Sequence, residues 1–212
     1  GTMAFNMQDV LLEPYGGEIL GLSVSATTLL TALWALGALL GFVWAGTRLA
    51  RGSNSYRLAG GGILAGIWAF SLVIFAAPLE LTALFYAGAF MIGYGGGLFA
   101  VSTLTAAMTM PTGAQAGRGL ALGAWGAAQA TAAGLAIALG GALRDWIGAI
   151  AMSGAWGETL ATPATGYSFV YHTEIGLLFA TLVILGPLVR RSGPLTPPKS
   201  DHRPLGLADF PT

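Results

Sequence analysis

Asn6, Asp9 and Glu13 recur at i, i+3 and i+7, the spacing that stacks side chains on one face of a helix. Met7, Val10, Leu11 and Leu12 cover most of the remaining surface. A carboxylate on an apolar helix is costly in hydrocarbon, so this stripe should face a bundle interior, a partner, a cavity or the headgroups. Three chemistries fit it: a proton-coupled carboxylate pair, a polar contact for another helix, or, for Glu13 beside Pro14, a hydrogen-bonded helix end. Asp9 lies about 6 Å deeper along the axis than Glu13 at 1.5 Å per residue, which makes it the better placed for function.

Other reactive constellations fail on residue type. The chain has no cysteine, which removes disulfides, thiolate metal sites and thiol nucleophiles together. No glycine-rich lysine loop, histidine pair at metal spacing or Ser-His-Asp set occurs, so no catalytic residue and no metal site is assigned, and an enzyme is not expected. The net charge of zero gives no argument for nucleic acid.

The elements that position the stripe are membrane helices. Of 212 residues 55% are hydrophobic and only 8% charged, with a mean hydropathy of +0.72, outside the range of ordinary soluble domains. Residues 19–47, 58–79, 81–117 and 119–143 carry no Asp, Glu, Lys or Arg, and each reaches the ~20 residues an apolar spanning helix needs. The fold class is therefore all-α, a polytopic transmembrane bundle of about six helices.

The first helix is expected to end at Pro14. That allows only roughly 20 Å of helix, so the chain is expected to begin part-way through a span or to start with a re-entrant segment. Further helices are predicted over 25–45, 58–77, 82–108, 119–143 and 167–189, with 144–166 as the longest stretch outside the spans. The run Gly93-Tyr94-Gly95-Gly96-Gly97 is costly in a helix interior and implies close packing or a break. Gly119, Gly123, Gly126 and Gly134 form a small-residue seam on the fifth helix, beside Gln129, its only amide. Residues 1–191 read as one membrane domain and 192–212, rich in proline and polar residues, as a flexible tail.

Orientation follows from the cations. With Arg48, Arg51, Arg57, Arg118, Arg190, Arg191, Lys199 and Arg203 on one side, only Arg144 remains on the other. The positive-inside rule then puts the C-terminus in the cytoplasm. The basic loop of Arg48, Arg51 and Arg57 fixes topology and offers contact to anionic headgroups.

Six helices with a basic loop after the second resemble one half of a major facilitator transporter. Residues 46–57 resemble the loop signature of that superfamily, without its aspartate and with looser spacing. A closer resemblance lies in three stretches. These are Gly1-Thr2-Met3-Ala4-Phe5 running into Met7-Gln8-Asp9-Val10-Leu11-Leu12-Glu13-Pro14-Tyr15-Gly16-Gly17; Ala121-Leu122-Gly123-Ala124-Trp125-Gly126; and Ala164-Thr165-Gly166-Tyr167-Ser168-Phe169-Val170-Tyr171-His172-Thr173-Glu174. Together they resemble the PucC/LhaA, or bacteriochlorophyll delivery, family of phototrophic bacteria, a major facilitator branch. The resemblance covers residues 1–191 and would correspond to the C-terminal six-helix half.

That resemblance implies a multi-pass protein of the bacterial inner, intracytoplasmic photosynthetic membrane. It implies a non-enzymatic role in assembling light-harvesting or reaction-centre complexes, with membrane lipid and antenna polypeptides as partners and bacteriochlorophyll or carotenoid as candidate cofactors. A secondary transporter of a small solute and a purely structural subunit are the rival readings. His172, the only histidine outside the tail, is then either a pigment-magnesium ligand or an imidazole hydrogen-bonded near the interface. Glu174 pairs with a facing helix or lies on a polar path. The glycines at 93, 97, 119, 123, 126 and 134 serve helix packing or flat contact with a pigment.

Overall fold

The computed structural model describes residues 1–109 and 116–191, the side chains of 116–118 and 191 excepted. The expected tail of 192–212 and the side chain of Arg118 lie outside the described residues. The chain is an all-α membrane protein with seven helices among those residues: α1 (Thr2–Asn6), α2 (Leu12–Glu18), α3 (Val24–Ala50), α4 (Ser55–Ala76), α5 (Thr82–Met108), α6 (Ala116–Met152) and α7 (Ala164–Arg191). Five of them, α3 to α7, are long and apolar enough to cross a membrane.

The first expected helix is not continuous and does not end at Pro14. A 3-10 turn over Met7–Val10 separates α1 from α2, and Pro14 sits in the first turn of α2, which runs on to Glu18. Proline explains both facts. It has no N–H for the carbonyl of Val10, and its ring crowds that carbonyl, so the α-helix breaks just upstream; in the first turn of α2 the missing donor costs nothing.

Two more boundaries differ from expectation. The basic loop is mostly helical: Arg48 lies in the last turn of α3, Arg57 in the first turn of α4, and Arg51 caps α3. Gly52 follows with φ of +81°, a left-handed turn that a side chain would strain, and Asn54 Oδ1 then accepts from the backbone N–H of Tyr56 and Arg57 to start α4. On the other side, α6 continues through Arg144 to Met152 and α7 begins at Ala164, so the stretch between the spans is much shorter than expected.

Glycine sets the core. The Gly93 to Gly97 run causes no break; α5 passes between α3 and α4 with backbone against backbone. A methyl at Gly93 would overlap the Trp34 carbonyl oxygen, and one at Gly37 or Gly41 would overlap the carbonyls of Phe90 or Tyr94. On the opposite side, a Cβ at Gly95 would lie 2.7 Å from the carbonyl oxygen of Gly62, and one at Gly62 2.7 Å from that of Gly95. Each glycine costs about 1 kcal/mol of helix propensity against alanine, which this close approach offsets.

α1 and α2 fill the space between α5, α6 and α7. Phe5 lies over Gly66 and Gly96 and meets Phe70 and Phe99 at centroid distances of 6.5 and 5.9 Å. Tyr15 is buried against Phe85, Tyr167 and Tyr171 at 5.4, 5.3 and 5.5 Å. α6 packs through Ala136, Gly140, Ile147 and Ala151, with Gly140 against the Met7 carbonyl. Gly119, Gly123, Gly126 and Gly134, the expected packing seam, have nothing within 4 Å of an added Cβ. Among the described residues that seam packs against nothing, because α6 turns its other face inward.

Gly93→Ala is accordingly expected to force α3 and α5 apart and to destabilise by about 1–3 kcal/mol. Gly123→Ala, with open space around it, is expected to leave stability unchanged or to raise it by up to about 1 kcal/mol. Thermal unfolding of both variants in detergent reads the contrast; equal midpoints would contradict the close approach at Gly93.

Candidate functional site

The broken N-terminal segment leaves two adjoining recesses on one flank of the bundle. The larger, about 400 Å³, lies between α1, α3, α5 and α6. Phe5, Trp34, Phe42 and Phe99 give it aromatic walls, while Gly93, Gly96 and Gly97 contribute a surface without side chains. Thr2, Asn6 and Gln129 supply its polar groups. Thr2 Oγ1 donates to Gln129 Oε1, tying α6 to α1, and Asn6 Nδ2 donates to the Thr2 carbonyl at 2.7 Å. The smaller recess, about 260 Å³, is lined by Gln8, Asp9, Leu12, Glu13, Thr31 and Trp34. Trp34 therefore borders both.

The predicted polar stripe is thus divided by the helix break. Asn6 belongs to the larger recess, and Asp9 and Glu13 to the smaller one. Asp9 Oδ1 accepts from Gln8 Nε2 at 2.7 Å, and Glu13 Oε1 accepts from Thr31 Oγ1 on α3. Gly93 and Gly97 line the larger recess, but their Cβ directions point at the α3 backbone. Gly96, whose added Cβ would sit 3.5 Å from Phe5, is the floor position with room for a side chain.

Residue-type reasoning passed over Thr2, Trp34, Gln129 and Gly96 as site residues. Gln129 carried a usable signal, being the lone amide in a charge-free span, and Gly96 lay within the Gly93 to Gly97 run; Trp34 carried none, since its role depends on which helix faces it. Trp125 Nε1 reaches Thr103 Oγ1 at 3.4 Å and bridges α6 to α5.

The other expected positions lie elsewhere. His172 is exposed on α7, touches neither recess, and holds its Nδ1 2.7 Å from the Ser168 carbonyl oxygen. Arg48 stacks over Trp44 at 5.1 Å, with Tyr94 beyond it, while Arg51 and Arg57 are exposed. Glu174 is fully buried against the 3-10 turn, where the backbone of Gln8 approaches its carboxyl without a full hydrogen bond.

At the opposite end of the bundle from Arg48, Arg144 Nη2 pairs with Glu18 Oε2 at 2.6 Å and its guanidinium lies 4.5 Å from the Tyr167 ring centre. Tyr167 OH donates to the same Glu18 oxygen at 2.8 Å. This cluster fastens α2 to α6 and α7. Among the described residues no group of three His, Cys, Asp or Glu side chains has the disposition to hold a metal ion.

The arrangement suits binding: aromatic walls, a flat floor, and amide and hydroxyl groups that give direction. The family model described as PUCC protein matches residues 1–193. The chain belongs to the PucC family. One relative, from Rhodobacter capsulatus and described as an uncharacterized protein in the puhA-bchM intergenic region, is 54% identical over all of this chain and 44% of its own length. Protein PucC of Cereibacter sphaeroides is 45% identical over 90% of this chain and 40% of its own. A more distant relative, the bacteriochlorophyll synthase 44.5 kDa chain of Rhodobacter capsulatus, is 32% identical over 92% of this chain and 44% of its own. The chain spans less than half the length of these PucC relatives. No solved structure matches it.

The Thr2 to Gln129 hydrogen bond holds the glycine-rich half of α6 against the site. Gln129→Leu is expected to cost about 1 kcal/mol and to speed amide hydrogen exchange over residues 119–135 while leaving α3 to α5 protected. Unchanged exchange in that stretch would show that the bond does not hold α6.

Proposed function

We propose that this chain forms the binding half of a photosynthetic-membrane protein that serves the assembly of light-harvesting complexes. Its larger recess receives the transmembrane helix of an antenna polypeptide, with bacteriochlorophyll or carotenoid as the second ligand class of the same surface. The chain acts by holding its ligand, and no residue in the recess is assigned a bond-making role. The C-terminus faces the cytoplasm in this reading, and the helices correspond to one half of a major facilitator arrangement.

The observation that carries the reading is the composition of the 400 Å³ recess: aromatic walls, glycine floor and three neutral hydrogen-bonding side chains. Beside it the open glycine face of α6 gives a second helix room for close approach. Neutral amides and hydroxyls suit a ligand that is itself apolar, since they direct it without introducing a charge into hydrocarbon. Membership of the PucC family supplies the photosynthetic context.

The test is co-purification. The tagged protein, in the full-length form in which a phototrophic bacterium makes it, is extracted in mild detergent, and antenna polypeptides and near-infrared absorption are measured on one fraction. Gly96→Leu and, on the α6 wall of the recess, Ala130→Trp fill it and are expected to lower antenna recovery about tenfold, the loss that about 1.4 kcal/mol produces. Leu64→Ala, on the exposed face of α4, is the control and is expected to have no effect. Equal recovery in all variants, or none with the intact chain, would remove the recess from the assembly role.

A further inference from the structure

Thr2 joins two carboxamides of the larger recess into one polar patch. Its carbonyl accepts from Asn6 Nδ2 at 2.7 Å, and its hydroxyl donates to Gln129 Oε1. Both amides are oriented by these bonds. The Thr2 carbonyl only accepts, so Asn6 turns its nitrogen toward it, and Gln129 meets the hydroxyl proton with its oxygen. What remains is the Asn6 oxygen as an acceptor and the Gln129 nitrogen as a donor, neither with a partner among the described residues. Both side chains are half-buried and line the recess.

Gln129 falls near the middle of the charge-free run 119–143, so the patch lies deep in the apolar layer. Acyl chains there would leave both the donor and the acceptor unmet, which hydrocarbon penalises. The backbone of an incoming helix cannot meet them either, because its amides are already bonded within the helix. A Lys or Arg side chain offers donors only and a carboxylate acceptors only, and either would bring a charge into hydrocarbon. A molecule whose polar atoms are all carbonyl oxygens would satisfy Gln129 and leave Asn6 Oδ1 without a donor. Hydroxyl and carboxamide side chains are neutral and carry donor and acceptor side by side. The floor suits a short side chain of this kind. A Cβ added at Gly96 would meet nothing nearer than Phe5 at 3.5 Å, so the backbone of a second helix has room to approach the patch closely.

We propose that the larger recess recognises a hydroxyl or carboxamide side chain at the middle of the partner helix, with Gln129 Nε2 donating to it and Asn6 Oδ1 accepting from it. The inference rests on the reading that a transmembrane helix enters the recess, and adds the side-chain chemistry which that helix presents. Asn6 and Gln129 then set specificity, while Phe5, Trp34, Phe42 and Phe99 give apolar contact to any helix.

Three synthetic spanning helices of about 20 residues test it, built from Leu and Ala and differing only at the central position, which is Asn, Ser or Leu. Each is offered at equal concentration to the tagged full-length protein in mild detergent, and the retained peptide is measured. The intact chain is expected to retain the Asn peptide about fivefold, and the Ser peptide about twofold, better than the Leu peptide, the scale of one interhelical hydrogen bond. Asn6→Leu and Gln129→Met keep side-chain size and lie on different helices. Each should bring the three peptides to equal retention, and either one decides the matter where the other fails to fold. Loosening of α6 alone would lower all three peptides together and preserve their ratio, so a ratio that neither variant changes overturns the proposal. Equal retention of the three peptides by the intact chain overturns it as well. Retention of none, with antenna polypeptides still co-purifying, overturns the polar recognition and leaves the assembly role standing; loss of both removes the helix-docking reading and the inference with it.

Discussion

The contact of the α5 backbone with the backbones of α3 and α4 is the constraint on which the rest depends. Helices in lipid gain little from burying apolar surface against one another, because the lipid is equally apolar; close van der Waals contact has to supply the cohesion. Here it does so on two sides of one helix, with Gly93 and Gly97 toward α3 and Gly88 and Gly95 toward α4. The same absence of side chains leaves a bare surface where α5 faces neither neighbour. Phe5 covers part of it, and the uncovered part is the floor of the larger recess.

The second constraint is Pro14. By breaking the N-terminal helix it converts one long rod into two short pieces that can tilt independently into the space beside α5. α1 brings Phe5 onto the glycine surface and Asn6 into the larger recess, while α2 brings Tyr15 into the aromatic cluster and Glu18 to Arg144. α6 is fixed along the stripe from Ala136 to Ala151, and its glycine-rich part is held by Gln129 and Trp125. One end of the bundle is thus fastened by an ion pair and an aromatic stack, and the flank with the recesses by single hydrogen bonds.

The sequence carried the membrane class and the positions of the long helices, because charge-free runs of spanning length have few other physical explanations. α5 coincides with its predicted span of 82–108, and its glycine run was readable as close packing. Less was legible at the ends of elements. Arg48, Arg57 and Arg144 looked like loop residues, yet all three lie within helices, since a long apolar helix extends past the hydrocarbon before its polar groups end it. The two small-residue faces of α6 could not be told apart for another reason. Gly119 to Gly134 and Ala136 to Ala151 are both small-residue patterns at helical spacing, and spacing does not say which one faces a neighbour. For the candidate site, Asn6, Asp9 and Glu13 were marked as polar positions, but their division between two recesses was not, because that depends on the break and not on the period. The surroundings of Glu174 were likewise hidden: a carboxylate in a span predicts a polar neighbour, and only the fold shows that it is the Gln8 backbone of the 3-10 turn.

The distribution of polar groups follows from what each costs in hydrocarbon. An amide or hydroxyl can be half-satisfied by its own chain, as Asn6 is by the Thr2 carbonyl, and still present its other end to a ligand at modest cost. A carboxylate has no such reserve, since it accepts only, and it needs donors or water. Asp9 and Glu13 meet this need by sitting at the open recess with Gln8 and Thr31 as donors. Glu174 is sealed in the core instead, against the backbone of the same Gln8. Gln8 is therefore the hinge of the arrangement. Its two N–H groups face acceptors on its own segment and its carbonyl is left for the core, so one neutral amide separates the carboxyl groups of the recess from the buried one.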